Sequence, residues 1–323
     1  MSTFVHKTTE KTTLADENAE NLALEVFKAG GLVALPTETV YGLAADATNG
    51  EAVAGIYEAK GRPSFNPLII HCDSLEMAMQ YGEFGDQALK CAQHFWPGPL
   101  TCVVPYKKDA GLSDLVRAGL DTVAIRVPMG KARDIIGAYQ KPIAAPSANL
   151  SGKISPTCAD HVAAQLNGRI DLILDGGPAS VGLESTIVSF AQGKPVLLRP
   201  GGLSTEILEA HIGVPLHHVA VDSEIKAPGM MLSHYAPNAT LRLSATGIDG
   251  EDGALTFGNA SLDAPHTLSL SESGNLKEAA ANLFSCLTQF DELGVERIAV
   301  SPIPTSGLGL AINDRLARAA APR

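Results

Sequence analysis

A chain of 323 residues exceeds one ordinary core, so two domains are the default expectation. Hydrophobic residues make up 45% and charged ones only 18%, which allows a sizeable interior and excludes global disorder. The net charge of −11 argues against a broad nucleic-acid footprint, yet between residues 60 and 200 basic residues outnumber acidic ones, which suggests a small anionic ligand.

Residues 1 to 13 are polar, threonine-rich and without periodicity, and read as a loose lead-in; Met1 to Glu10 lack the apolar core of a signal peptide. No apolar run approaches membrane-spanning length, so a soluble, cytoplasmic protein is expected. Thr13 could cap a helix in which Leu22, Val26 and Phe27 recur at helical spacing before Gly30. The run Leu32-Val33-Ala34-Leu35 then reads as a buried strand entering a parallel sheet, released at Pro36, which has no N–H to continue the ladder. What leaves the sheet is Thr37-Glu38-Thr39-Val40-Tyr41-Gly42: two hydroxyls, a carboxylate and a phenol where ligand crevices of open α/β sheets lie. The plainer reading is a junction whose threonines only cap backbone groups.

Asn49 is a plausible cap for a helix through Val53, Ile56 and Tyr57 that delivers Lys60 and Arg62, although cations at a helix C-terminus are favourable for the dipole alone. Leu68 to His71 is strand-like, residues 74 to 96 suggest two short helices, and Trp96-Pro97-Gly98-Pro99 turns into a strand over Leu100 to Val104. Asp121 to Val127 alternates as a strand with Thr122, Ala124 and Arg126 on one face, and an arginine there needs an anion, either a structural carboxylate or a ligand. Ile143-Ala144-Ala145 runs into Pro146-Ser147-Ala148-Asn149, a polar loop carries Ser155, a helix follows to about Leu166, and Leu172 to Leu174 is a strand. Ser185 with Thr186 and Arg199 close two further apolar runs. Residues 213 to 239 are rich in proline and glycine and read as a linker; beyond it, strands over Leu255 to Phe257 and Arg297 to Val300 surround helices over Leu276 to Leu293 and Leu310 to Ala320. Mixed helices and strands in this order predict a large α/β domain followed by a small one.

The five cysteines have no paired spacing and read as reduced, mostly buried thiols; His217-His218 with Asp222 and Glu224 show no ligand-type repeat, so no metal site is expected. Neither a Ser-His-Asp nor a Cys-His set is visible, no glycine-rich phosphate loop appears, and Gly307-Leu308-Gly309 is weak evidence for a nucleotide. Cations at Lys60, Arg62, Arg126 and Arg199 with short hydrogen-bonding groups therefore point to catalysis by positioning and charge neutralisation, as in phosphoryl or nucleotidyl transfer.

Pro36 to Leu43, Lys60-Gly61-Arg62-Pro63, the strand ending in His71, and Ser147-Ala148-Asn149, in this order, resemble the YrdC-like family, specifically its longer two-domain threonylcarbamoyl-adenylate synthases. The resemblance runs over residues 15 to 240, with a weaker echo in the tail. It implies a twisted mixed sheet with helices over residues 14–212, a linker over 213–239 and a smaller Rossmann-like α/β domain over 240–323. It also implies synthesis of threonylcarbamoyl-adenylate from L-threonine, bicarbonate and ATP, with magnesium on the phosphates, for threonylcarbamoyladenosine in tRNA. Thr39, His71, Arg126, Ala145 and Ser185 match the family's threonine positions, and Arg62, Asn66, Thr122, Ser147, Ser155 and Arg199 its ATP positions, with Lys60 and Arg62 at the phosphates. Tyr235, in His234-Tyr235-Ala236-Pro237, is expected on a segment closing over the nucleotide, although Met231-Leu232-Ser233 stands where relatives often carry basic residues. Downstream tRNA threonylcarbamoyl-transfer proteins are the implied partners, with no membrane and no stable nucleic-acid binding. Two other readings are a double-stranded RNA-binding module, against which the acidic balance counts, and a hydrogenase-maturation carbamoyltransferase, whose usual appended zinc and acylphosphatase-like modules are not visible.

Overall fold

The computed structural model describes residues 7–218 and 234–322. The chain begins with β1 (Glu10–Thr13), α1 (Ala19–Lys28), β2 (Val33–Leu35), β3 (Gly42–Asp46), α2 (Gly50–Lys60), β4 (Ile69–His71), α3 (Leu75–Tyr81), α4 (Asp86–Phe95) and β5 (Leu100–Pro105). It continues with α5 (Asp114–Arg117), β6 (Thr122–Arg126), α6 (Lys131–Tyr139), β7 (Ile143–Ala144), α7 (Ala159–Leu166), β8 (Leu172–Asp175), β9 (Thr186–Ser189), β10 (Val196–Arg199), α8 (Thr205–Ile212) and β11 (His217–His218). Its strands form one mixed sheet in the order β1-β8-β2-β3-β7-β4-β6-β5-β9-β10-β11.

Several local expectations change. Glu10–Thr13 is no loose lead-in but an edge strand, parallel to β8 from Glu10 against Leu172 to Thr13 against Asp175. Because Thr13 is committed to that ladder, α1 starts later, with Asn18 at its cap and no side-chain capping bond. β2 lies parallel to β8 on one side but antiparallel to β3 on the other, so Pro36 opens a hairpin whose second arm returns at once to the sheet. The Asn49 cap forms as its sequence predicts: its side chain accepts from the N–H groups of Glu51 at 3.0 Å and Ala52 at 3.3 Å.

Alternation along the strands separates two faces. On one, Ala34, Leu43, Ala45 and Ile125 join the main core with α2 and α7. On the other, α1 and α6 cover Val33, Leu35, Ala44 and Leu172, but around β4, β5, β6 and β9 the strands form their own cluster among the described residues, through Ile69, Val103, Ala124 and Ile187. The side chains of His71 and Arg126, paired in register on β4 and β6, project from this stretch of sheet.

The tail holds β12 (Thr240–Arg242), β13 (Gly253–Thr256), β14 (His266–Ser269), α9 (Leu276–Glu292), β15 (Arg297–Val300) and α10 (Leu308–Ala320), with an all-parallel sheet in the order β12-β15-β13-β14. The linker expected without elements contains β11, which pairs with β10; Asp222, Glu224, Met231 and Ser233 lie outside the described residues. Val40, Ile154 and Leu183 from the first part of the chain are buried in one cluster with Leu283, Phe284 and Ile312 of α9 and α10. At Gly182, with φ +73°, a Cβ would come within 2.4 Å of the Ala281 backbone, so a larger residue would force α9 away. All five cysteines are free thiols, and no helix among the described residues is long and apolar enough to cross a membrane.

Candidate active site

The hairpin loop between β2 and β3 is folded by Thr37, whose hydroxyl accepts from the N–H groups of Thr39 and Val40 at 3.2 and 3.3 Å and donates to the Val40 carbonyl at 2.7 Å. Thr37 therefore does cap backbone groups, which frees Thr39 to face the sheet and accept from Arg126 Nη1 at 2.8 Å. Arg126 also donates from Nε to the Gly98 carbonyl at 3.1 Å, and its Nη2 lies 2.6 Å from Glu38 Oε1. The anion an arginine on this strand requires is, in this structure, the structural carboxylate of Glu38. Tyr41 turns away, donating to the Gly177 carbonyl at 2.7 Å.

A cavity of about 40 Å³ lies against this face. Of the threonine positions, all five (Thr39, His71, Arg126, Ala145 and Ser185) line it; of the ATP positions, Arg62, Ser147, Arg199 and Tyr235 do. A Cβ at Gly42 would make an ordinary 3.4 Å contact with the Ala145 methyl. Ser185 shares a 2.7 Å hydrogen bond with Thr101, and Arg199 holds the Ser185 carbonyl from Nε and Nη2 at 3.2 and 2.9 Å.

Four expected residues stand back from the cavity wall. Lys60 is buried, and its ammonium donates to the carbonyls of Ser147 and Asn149 at 2.5 and 2.6 Å, so it fixes the turn that presents Ser147. The Asn66 carbonyl receives Arg62 Nε at 3.2 Å. Ser155 donates to Glu184 Oε1 at 2.5 Å. Thr122 sits on the same face as Arg126 but four residues down the strand, about 13 Å away at 3.3 Å per residue.

Burial, with Arg62 nearby, pushes the Lys60 ammonium well below the ordinary lysine range, and burial brings Arg62 down to about 10. Arg62 is held by the carbonyls of Asn66 and Pro67 and, among the described residues, pairs with no carboxylate, so its charge is left for an anion. Burial, aided by Arg126, keeps His71 well below its usual value, so it is a neutral imidazole at physiological pH.

Four residues at or behind the wall were not named as site residues from the sequence: Glu184 and His234 line the cavity, while Glu38 and Arg315 do not. Glu38 and Glu184 adjoin recognised positions, and His234 adjoins Tyr235. Arg315, behind the wall, had no signal at all: it lies 131 residues from its partner, donating from Nε to Glu184 Oε2 at 2.8 Å and from Nη2 to the Pro200 carbonyl at 3.0 Å. Burial alone would raise Glu184, but Arg315 and Arg199 outweigh it and draw the carboxyl down to about 2. Arg315 also lies 5.0 Å from the centre of the Tyr235 ring, which stacks on Phe284 at 5.6 Å. Among the described residues, Tyr235 Oη and His234 Nδ1 are buried without hydrogen-bond partners, beside a cavity far smaller than the roughly 300 Å³ or more of a small-molecule site.

A family model described as "Telomere recombination", covering Sua5, YciO and YrdC proteins, matches residues 25–201, and one described as "Threonylcarbamoyl-AMP synthase, C-terminal domain" matches residues 203–321. The threonylcarbamoyl-AMP synthase of Bacillus subtilis is 44% identical over 344 residues, covering 99% of this chain and 97% of its own. That of Pyrococcus abyssi is 42% identical over 319 residues, covering 92% and 93%. The crystal structure of P. abyssi Sua5 complexed with L-threonine is similar with a TM-score of 0.88 and 40% identity, over 97% of each chain.

Proposed function

The chain belongs to the Sua5, YciO and YrdC family, in its two-domain threonylcarbamoyl-AMP synthase form, and from that premise we infer how its pocket joins L-threonine, bicarbonate and ATP. The products are L-threonylcarbamoyl-AMP, pyrophosphate and water, and the adenylate serves threonylcarbamoyladenosine formation on tRNA. The observation that carries the site assignment is that residues from eight separate stretches, matched to two different ligands, converge on one cavity.

L-threonine occupies the part lined by Thr39, His71, Ala145, Ser185 and Arg126, whose planar guanidinium suits a carboxylate. ATP extends from Arg62, Ser147 and Arg199 along the stretch of sheet that no described helix covers, towards Thr122, with Asn66 and Ser155 holding its surroundings. The threonine amine adds to bicarbonate with loss of water, and a carbamate oxygen then displaces pyrophosphate from the α-phosphorus. No covalent enzyme intermediate is needed: Arg62 and Arg199, with Lys60 fixing the Ser147 turn, neutralise charge that grows on the phosphates. Magnesium enters on the ATP phosphates as part of that substrate. Tyr235 closes the nucleotide side and keeps water from a labile acyl-adenylate, which passes to downstream transfer proteins.

Pyrophosphate release from ATP, with bicarbonate and each of L-threonine, L-serine and L-valine, tests this reading. Threonine is expected to be preferred strongly over valine, because a site that hydrogen-bonds a hydroxyl rejects an analogue without one, and more modestly over serine, where one methyl is worth about 1–3 kcal/mol. Equal rates with valine would overturn the threonine pocket.

A further inference from the structure

The Glu38 and Arg126 side chains are 8% and 4% exposed, and they touch at 2.6 Å. Yet neither Glu38 Oε1 nor Arg126 Nη2 has an aligned hydrogen-bond partner among the described residues. Charge holds them together in a geometry that leaves hydrogen-bonding capacity unused on both, and in a buried site such capacity is costly unless a ligand takes it up. The other carboxylate oxygen, Oε2, accepts from the Met129 N–H at 3.2 Å. Glu38 thus spans from the loop after β6 to the arginine that faces the inner cavity.

An outer cleft of about 280 Å³ lies beside it, lined by Pro36, Thr37, Glu38, Met129, Lys131 and Gly177 among others. It shares Thr37 with the smaller inner cavity. Glu38 stands between the two. Among the described residues, the one acid lining the inner cavity, Glu184, is committed to Ser155 and Arg315. A zwitterion whose carboxylate goes to Arg126 brings an ammonium within a bond or two of the same guanidinium, and Glu38 is the carboxylate positioned to meet it.

We propose that Glu38 and Arg126 are the two halves of a zwitterion site, paired with each other when empty and separated by the α-ammonium and α-carboxylate of the incoming amino acid. The proposal rests on the threonine pocket inferred above and adds to it a partner for the amino group. Because the empty site is self-neutralised, it also rejects anions that carry a carboxylate but no ammonium: these must break the Glu38–Arg126 pair and offer nothing to Glu38 in return.

The test compares L-threonine with 3-hydroxybutanoate, which is threonine without its amino group, by calorimetry on the full chain. The wild type is expected to bind threonine at least about tenfold more tightly, as for a charge-assisted contact in a buried site. In Glu38→Gln, which keeps the size of the side chain and can still accept from Met129, 3-hydroxybutanoate should bind more tightly than to the wild type, and the preference should shrink about tenfold. Glu38→Asp, which keeps the charge, should retain more of the preference than Glu38→Gln. An unchanged preference in Glu38→Gln would overturn the proposal, and so would equal binding of the two ligands by the wild type, a result that needs no variant. If the wild type binds neither ligand, the threonine pocket itself fails.

Discussion

Arg126 carries the sharpest expectations at the scale of single residues. It sits on a strand with its guanidinium spread over Thr39, Glu38 and the Gly98 carbonyl. Lysine cannot reproduce that planar fork, so Arg126→Lys should weaken threonine binding by about tenfold or more while ATP binding changes little. Unchanged threonine affinity by calorimetry would make Arg126 a structural partner of Glu38 alone. His234 makes a different prediction. Burial brings it from 6.5 down to about 3, so the folded protein keeps it neutral while the unfolded chain takes up a proton below 6.5. Protons then favour unfolding: its contribution is intact above pH 6.5 and is lost as pH falls from there towards 3. His71 acts in the same direction. His234→Asn should therefore flatten part of the acid decline of the urea midpoint, and identical slopes in the two proteins would show that His234 is not held neutral.

At the scale of elements, α10 reaches into the wall of the pocket through Arg315. Its guanidinium is fully buried, and with Arg199 it keeps Glu184 ionised, which in turn receives Ser155. Removing one partner of a buried pair leaves an uncompensated charge, so Arg315→Ala should cost about 3–5 kcal/mol of stability. Because both residues share one network, Arg315→Ala combined with Glu184→Gln should cost clearly less than the two single changes summed; strict additivity in denaturant unfolding would mean the pair is not coupled. Glu184's own contribution is present above pH 4.5 and lost as pH falls from there to about 2. The other end of α10 explains the weak glycine signal: the Gly307 N–H donates to Glu206 Oε1 at 2.8 Å, so the helix start receives a carboxylate of α8.

At the scale of the whole molecule, the two sheets share buried structure. Val40 of the site loop packs with Leu283, Phe284 and Ile312, Thr157 shares a 3.0 Å hydrogen bond with Ser285, and Ala236 donates to the Gly152 carbonyl at 3.0 Å. Unfolding the smaller part alone would expose Val40, Ile154 and Leu183 and strand Glu184 without Arg315. Scanning calorimetry should accordingly give one cooperative transition, with calorimetric and van't Hoff enthalpies close to each other. Two resolved transitions would mean that the shared cluster does not couple the parts.

The sequence alone was decisive where local chemistry decides structure. The Asn49 cap, the apolar strand cores at Ile69–His71, Thr122–Arg126 and Arg297–Val300, and the break at Pro36 each depend on a few adjacent residues. The resemblance added which positions to watch, and nine of them line one cavity. Edge strand β1 was hidden because polar Glu10–Thr13 gains its conformation from pairing with β8, more than 150 residues later. The helix at Lys131–Tyr139 was passed over because its apolar face, Ala132, Ile135 and Ile136, is short and gains meaning only against α1 and β7. The positions of Lys60 behind the Ser147 turn, of Glu38 on Arg126 and of Arg315 on Glu184 were decided by tertiary structure. A charged side chain declares in sequence that it needs a partner, but long-range packing determines which carbonyl or carboxylate is near enough to be that partner once water has been excluded.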